Sequence, residues 1–331
     1  MQTAGIVTAS TSLHEVLSDS IRADPAVARF EIFHLNGPDG AVDLFREVHT
    51  GARLVGKYYG RKWIRGSLTG SEELRTELLE REFANMELLR EAGFRDRPYF
   101  VPRPLAKVPG IEWLLLEEYI DGVNLHHAIW DTVTTGRDEA LLHALDLTTG
   151  ALAQLHETSL SPTLMRPKDP YVYLRKVVRQ LREWDVIDEA QAARLVAMCE
   201  AWDRSGALRD GAHVVVHGDA TPEHFLVCGD GLGMIDFESV RRDDPAWDLG
   251  YLAAEIKHLF WSYSGDPGAP ERYTRHMHGS YARASQRNDP SLTNRSRYYM
   301  ACGELRIGRN SWLPLDYRRR LIAEAEECWR L

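Results

Sequence analysis

The sequence predicts an α+β fold in two parts: a small β-rich N-terminal lobe and a larger, mainly helical C-terminal lobe. Extended stretches bounded by turn residues crowd the first third of the chain. One long helical pattern interrupts them, and from Ser262 onward the pattern is helical, with aromatic and charged residues mixed.

Each element has its own signal. Leu13, Val16, Leu17 and Ile21 recur at helical spacing, which predicts an amphipathic helix over 10–22 that ends near Asp24-Pro25. Arg29 to Leu35, Val42 to His49 and Arg53 to Tyr59 read as strands. The turn signals Asn36-Gly37-Pro38-Asp39-Gly40 and Thr50-Gly51 join them into an antiparallel meander. A long helix is expected from about Glu72 to Ala92, with Thr69 and Glu72 in capping-box spacing and Gly93 as its stop. Val101-Pro102-Arg103-Pro104 reads as an extended connector, and two strands flank Pro109-Gly110. Beyond them, Leu141 to Glu157 reads as a helix. Val214 to Val216 and Leu232 to Ile235 read as buried strands, and Asp244 to Gly250 opens an apolar helix. The lobes are predicted to divide into 1–118 and 119–331.

Composition narrows the partners. With 49 acidic against 40 basic residues, no broad basic footprint for nucleic acid is expected. Arg318-Arg319-Arg320 reads as a solvated helix face. Cys199, Cys228, Cys302 and Cys328 form no C-x-x-C pair, which argues against a zinc site or a disulfide framework and suits a reducing cytosol. No apolar run approaches the roughly 20 residues of a membrane span, and the N-terminus lacks an export pattern. A cytoplasmic protein with no membrane partner is expected; its oligomeric state is left open.

The chemistry concentrates in two short runs, His217-Gly218-Asp219 and Met234-Ile235-Asp236-Phe237-Glu238. Each aspartate follows or ends a strand-like run. Phosphoryl transfer needs two carboxylates with different tasks, one to orient the attacking hydroxyl and take its proton, one to hold the metal on the nucleotide phosphates. The competing reading makes both aspartates caps of strand ends.

These runs resemble the aminoglycoside phosphotransferase and choline-kinase-like family, which has a protein-kinase-like fold. Its pattern is HGD, four residues, Asn, then a strand ending IDxE or IDFE. The resemblance implies transfer of the γ-phosphoryl group of ATP, with Mg²⁺ or Mn²⁺, to a hydroxyl of a small-molecule acceptor such as a sugar, an amino alcohol or an aminoglycoside. It makes Asp219 the catalytic aspartate and Asp236 the metal ligand, with Glu238 as a further candidate. His217 and Asp248 would support the loop. Lys57 would contact the nucleotide phosphates, Glu82 would orient it, and the backbone of Glu118 and Ile120 would meet the adenine edge. A degenerate phosphate loop would contain Gly37 and Gly40. His156 closes a segment similar to the family's LAxLH and reads as a packed helix-end histidine.

One position departs from the pattern. His224 stands where the family has asparagine, and an imidazole suits Mn²⁺ better than the hard Mg²⁺ ion. Three outcomes are open: the site holds one Mg²⁺ only, it prefers Mn²⁺ with His224 as a metal ligand, or His224 serves the acceptor or hydrogen-bonds the Asp219 loop. The expectation is that His224 does not bind Mg²⁺ and that Asp236 is the principal protein ligand. This departure and the degenerate phosphate loop motivate one rival, a nucleotide-binding regulator without catalysis; a second rival is a nucleotidyl (AMP) transferase on the same fold. Glu255, Lys257 and His258 read as polar-face helix residues.

Overall fold

The structure is a computed structural model that describes residues 5–7, 11–35, 41–61, 71–159, 170–208 and 211–330. The chain forms two compact units. The first comprises Met1–Asp121 together with Gly233–Glu238, and the second comprises Gly122–Leu232 with Ser239–Leu331.

The first unit is built on a sheet. Its strands are β1 (Gly5–Val7), β2 (Phe30–His34), β3 (Val42–Glu47) and β4 (Arg53–Tyr58). After the helix that follows β4 come β5 (Tyr99–Phe100), β6 (Pro104–Val108) and β7 (Leu114–Glu118). The six-stranded order is β1-β2-β3-β4-β7-β6, and all five neighbouring pairs are antiparallel. The expected meander is thus present as β2–β4. Alternation explains it: Phe30, Phe45, Leu54, Tyr58, Leu114 and Leu116 point to one face and form a core with Leu17 of α1 (Ser12–Ser20). Helix α1 starts later than the periodicity predicts because Thr11 caps it, accepting a bond from the His14 amide at 3.2 Å.

Helix α2 (Glu72–Glu91) follows β4. Its cap is Ser71, whose hydroxyl accepts from the Leu74 amide at 3.3 Å, so the capping reading moves from Thr69, which lies outside the described residues, to Ser71. The predicted turn with Gly37 and Gly40 also lies outside them.

The second unit is mainly helical. It contains β8 (Val123–Asn124), α3 (Leu125–Thr135), α4 (Glu139–Glu157), α5 (Pro170–Glu183) and α6 (Glu189–Ser205). Then come β9 (Val214–Val216), a 3-10 turn at Pro222–His224, β10 (Phe225–Cys228), β11 (Gly231–Met234), whose last two residues belong to the first unit, and β12 (Arg241–Asp243). The chain ends with α7 (Pro245–Ser264), α8 (Glu271–Ala284), α9 (Leu292–Ile307) and α10 (Leu315–Cys328). β10 pairs with β8 and β12 with β9, both antiparallel.

Helix α7 is the hub, packed against α3, α8 and α9. Asp244 caps it by accepting from the Ala246 amide at 2.9 Å, Pro245 opens it, and Gly265 (φ 74°) closes it in the left-handed region. The buried Arg295 of α9 grips both Asp244 oxygens at 2.6 and 3.1 Å, a bidentate pair that ties the two helices. In the basic run Arg319 and Arg320 are exposed, as a solvated helix face requires, but Arg318 is buried and donates to the Gly308 carbonyl at 2.7 Å, just past the end of α9. Among the described residues, no helix is long and apolar enough to cross a membrane.

Candidate active site

In the first unit, Lys57 of β4 is buried, contrary to the solvent-facing alternative for a strand lysine. Its ammonium donates to Glu82 Oε1 at 2.7 Å and lies 3.5 Å from Glu117 and 3.9 Å from Asp236. Burial alone would lower the Lys57 pKa, but Glu117, Glu82 and Asp236 together hold it well above the usual lysine range. The ammonium stays charged.

Glu82 is fully buried on α2 and also accepts from the Tyr59 hydroxyl and, at 3.3 Å, from the Phe237 amide. Of the seven glutamates of this helix, it is the one that meets the lysine. Glu117 is the residue that sequence reasoning missed. Burial pushes its carboxyl up to about 7, Lys57 opposes that, and Glu82 and Asp236 add to it; its Oε2 is buried without a hydrogen-bond partner among the described residues. Strand alternation separates it from the exposed Glu118 beside it.

Asp236 adopts φ 68°, a left-handed conformation that Asp and Asn tolerate better than other residues with a side chain. Backbone bonds from α2 fix its neighbours. Asn85 donates to the Phe237 carbonyl at 2.9 Å and Arg81 to the Glu238 carbonyl at 3.2 Å. Glu82, Asp236 and Glu238 each bring one oxygen within 4.8 Å of the others. Such hard oxygens suit Mg²⁺. Because Glu82 already serves Lys57, Tyr59 and Phe237, Asp236 and Glu238 are the pair of this group that could hold such an ion.

Glu118 and Ile120 flank the end of β7. The Glu118 amide donates to the Arg103 carbonyl at 3.0 Å, so a nucleotide contact there falls to its carbonyl. The Ile120 side chain is packed on Gly233, where a Cβ would come within 2.8 Å of it.

In the second unit, the loop after β9 is held from below. Asp248 is fully buried and accepts from the amides of His217 at 2.7 Å and Gly218 at 2.9 Å, and from His156 Nε2 at 3.1 Å. Burial pushes its carboxyl up, yet the bond from His156 and the charges and amides around it hold it below the usual carboxylate range. His156 is therefore a buried helix-end histidine, and Tyr281 takes its other nitrogen at 2.8 Å. Gly218 (φ 82°) cannot be replaced without movement, since a Cβ would lie 2.2 Å from the Ser239 carbonyl. Its own carbonyl accepts from Arg241 and Trp247, each at 3.3 Å.

Asp219 follows. Its carbonyl accepts from the Thr221 amide at 2.9 Å and from His224 Nδ1 at 2.8 Å. That bond places the ring proton of His224 on Nδ1, and the ring stacks on His217 at 5.8 Å and 18°. The Asp219 carboxylate accepts from Arg306 Nη1 of α9 at 2.6 Å. Arg306 Nη2 lies 3.9 Å from Glu255, and its guanidinium sits over the Tyr251 ring at 5.4 Å.

The α7 residues read as polar-face are in fact engaged. Burial pushes Glu255 up to about 7; Arg306 opposes this, and Glu223 and Asp219 reinforce it. Lys257 is buried 3.1 Å from Glu304, and His258 Nδ1 meets Tyr317 at 2.8 Å. His126 of α3 bonds Glu223 at 2.6 Å and contacts Tyr263.

Residues 69–286 match the model of a family described as the phosphotransferase enzyme family. Among solved structures, a choline kinase from Streptococcus pneumoniae aligns with a TM-score of 0.60 at 14% identity, over 96% of this chain and 99% of its own. A Plasmodium vivax ethanolamine kinase aligns with a TM-score of 0.58 at 15% identity, over 89% and 82% of the two chains. An aminoglycoside phosphotransferase from Streptomyces rimosus aligns with a TM-score of 0.52 at 21% identity, over 93% and 98%. A search of curated protein sequences gave no match. At such identities the shared property is the fold.

Proposed function

The chain belongs to the phosphotransferase enzyme family, and from that premise we propose that it transfers the γ-phosphoryl group of ATP to a hydroxyl of a small, soluble acceptor in the cytoplasm. The observation that carries this reading is the buried Lys57, 2.7 Å from Glu82 and 3.9 Å from Asp236. A permanently charged ammonium on a rigid strand, aimed by one carboxylate and next to another, is a phosphate-binding arrangement.

Each residue then has a task. Lys57 binds the α- and β-phosphates and Glu82 holds its direction. The carbonyl of Glu118 and the backbone of Ile120 take the adenine edge. Asp236, with Glu238 beside it, would hold Mg²⁺, which when bound neutralises phosphate charge. Asp219 orients the acceptor hydroxyl and takes its proton. His217 and Asp248 keep the Asp219 loop in place. His224 serves that loop, because its Nδ1 is committed to the Asp219 carbonyl.

The test is a panel of streptomycin, gentamicin, choline, ethanolamine and simple sugars, incubated with ATP and Mg²⁺. ADP release and the mass of the product are read together. One acceptor gaining a phosphoryl group, with one ADP released, is the expected result; a product gaining a nucleotidyl group would overturn the γ-transfer assignment. The His224 departure favours one second reading, a nucleotide-binding regulator, and ATP binding without ADP release across the panel would support it. His224→Asn discriminates further. If the position only supports the loop or a metal, the variant keeps or raises Mg²⁺-dependent turnover; a collapse would mean that the imidazole has a task asparagine cannot perform.

A further inference from the structure

Arg306 lies beyond the stretch matched by the family model, on α9, 87 positions from the loop it reaches. We propose that Arg306 is a positioning residue for phosphoryl transfer: its guanidinium fork fixes the carboxylate of Asp219 in the direction from which the acceptor hydroxyl is met. This inference rests on the reading of Asp219 as the proton acceptor.

Three contacts carry it. Nη1 donates to Asp219 Oδ1 at 2.6 Å, the short distance of a charge-assisted bond. Nη2 lies on the Glu255 side at 3.9 Å, and the ring of Tyr251 lies under the guanidinium at 5.4 Å. Tyr251 and Glu255 stand one turn apart on α7, so one helix supplies both a stacking face and a second anionic neighbour. The guanidinium is thereby oriented independently of Asp219. A free side chain would follow the carboxylate; a clamped one directs it.

The chemistry needs such a device. In phosphoryl transfer most of the catalysis is positioning, and the proton leaves the attacking hydroxyl as the new bond forms. Asp219 is partly exposed, with 27% of its side-chain surface accessible, and a carboxylate at that exposure has rotational freedom unless something holds it. Asp248 and His224 fix only the backbone of the loop. Arg306 acts on the carboxylate itself. A lysine would deliver the charge without the planar fork or the stacking.

The experiment is a double-mutant cycle between Arg306 and Asp219, with ADP release from MgATP as the readout. The acceptor is the one that the panel identifies, or water if none reacts. Arg306→Met is expected to lower kcat about 10- to 100-fold while KM for ATP and Tm stay close to wild type. Arg306→Lys should recover part of the loss, and millimolar guanidinium should restore part of the turnover of Arg306→Ala. In the Asp219→Asn background, Arg306→Met should have no further effect, because it acts through Asp219. The inference is overturned if Arg306→Met turns over like wild type. It is also overturned if the two losses add, or if the loss tracks a fall in Tm without guanidinium rescue. Full activity of Asp219→Asn alone is a different failure: it removes Asp219 from the mechanism whatever Arg306 does.

Discussion

Lys57 carries one positive charge among three carboxylates, at 2.7, 3.5 and 3.9 Å. The balance makes the lysine and its neighbours unequal. Removing Lys57 leaves buried anions facing one another, so Lys57→Met is expected to cost about 3–5 kcal/mol of stability in urea unfolding, the scale of a broken buried pair. Removing one anion relieves repulsion. Glu117, which burial pushes up to about 7, is the least settled of the three, and Glu117→Gln is expected to leave Tm unchanged or raise it. A fall in Tm for Glu117→Gln similar to that for Lys57→Met would disprove the charge imbalance. The tasks proposed for the two aspartates predict different losses. Asp219→Asn should leave ATP binding nearly intact while cutting turnover at least about a hundredfold, the scale of lost general-base action. Asp236→Asn keeps a residue that tolerates φ 68° but lowers the charge that balances the metal, so MgATP binding and turnover should fall together. Calorimetry with MgATP beside steady-state rates distinguishes them.

At the scale of elements, Glu47 closes the turn from β3 to β4. Its Oε1 accepts from the Arg29 amide at 3.1 Å, and its Oε2 from the amides of His49 at 2.9 Å and Thr50 at 2.6 Å and from the Thr50 hydroxyl at 2.8 Å. Burial would raise its pKa, but these donors outweigh it and bring the carboxyl from 4.5 down to about 2. A depressed carboxylate stabilises the folded state fully above its unfolded value and loses that contribution as pH falls through the folded value. Glu47→Gln should therefore cost about 1–3 kcal/mol at neutral pH, and the gap to wild type should narrow as pH drops from 4.5 toward 2. Urea titrations at several pH values measure it; a gap that does not change with pH would show that the carboxylate charge plays no part. The same region shows what is legible in a sequence. The strands β2–β4 follow from alternation between turn residues, because one face of each must be buried. Helix α5 carries its own signal in Leu174, Val177, Val178 and Leu181, all buried at i, i+3, i+4 and i+7. The three-residue β1 is too short to show a period, and it exists because β2 offers an edge. The motifs around Asp219 and Asp236 are local in sequence and could be read. Arg306 could not, since its contact with Asp219 spans 87 positions and no local rule links an arginine near a helix end to one carboxylate. Glu117 failed for a smaller reason: in a run of two glutamates, only the strand's pleat decides which one turns inward.

Across the whole molecule, the chain leaves the first unit after Asp121 and returns for only six residues, Gly233–Glu238. Those six carry Asp236, so the nucleotide site proposed here would depend on how firmly the returning segment is held. Helix α2 holds it with three residues of neighbouring faces. Arg81 reaches the Glu238 carbonyl, Glu82 the Phe237 amide, and Asn85 the Phe237 carbonyl, at 3.2, 3.3 and 2.9 Å. Phe237 thus has both of its backbone polar groups satisfied from α2, immediately after the left-handed Asp236. Asn85 is 1% exposed, and its amide donates to the backbone of Phe237. Asn85→Ala leaves the Phe237 carbonyl buried without that donor, a cost of about 1–3 kcal/mol. If the segment's placement is what presents Asp236, that cost appears as weaker MgATP binding, about tenfold for each 1.4 kcal/mol. Amide exchange around Phe237 should quicken in the variant, while the amides of α7 and α9 in the second unit keep wild-type protection. Faster exchange around Phe237 with unchanged MgATP affinity would show that Asp236 is presented without help from the Asn85 bond, the contacts of Arg81 and Glu82 being enough.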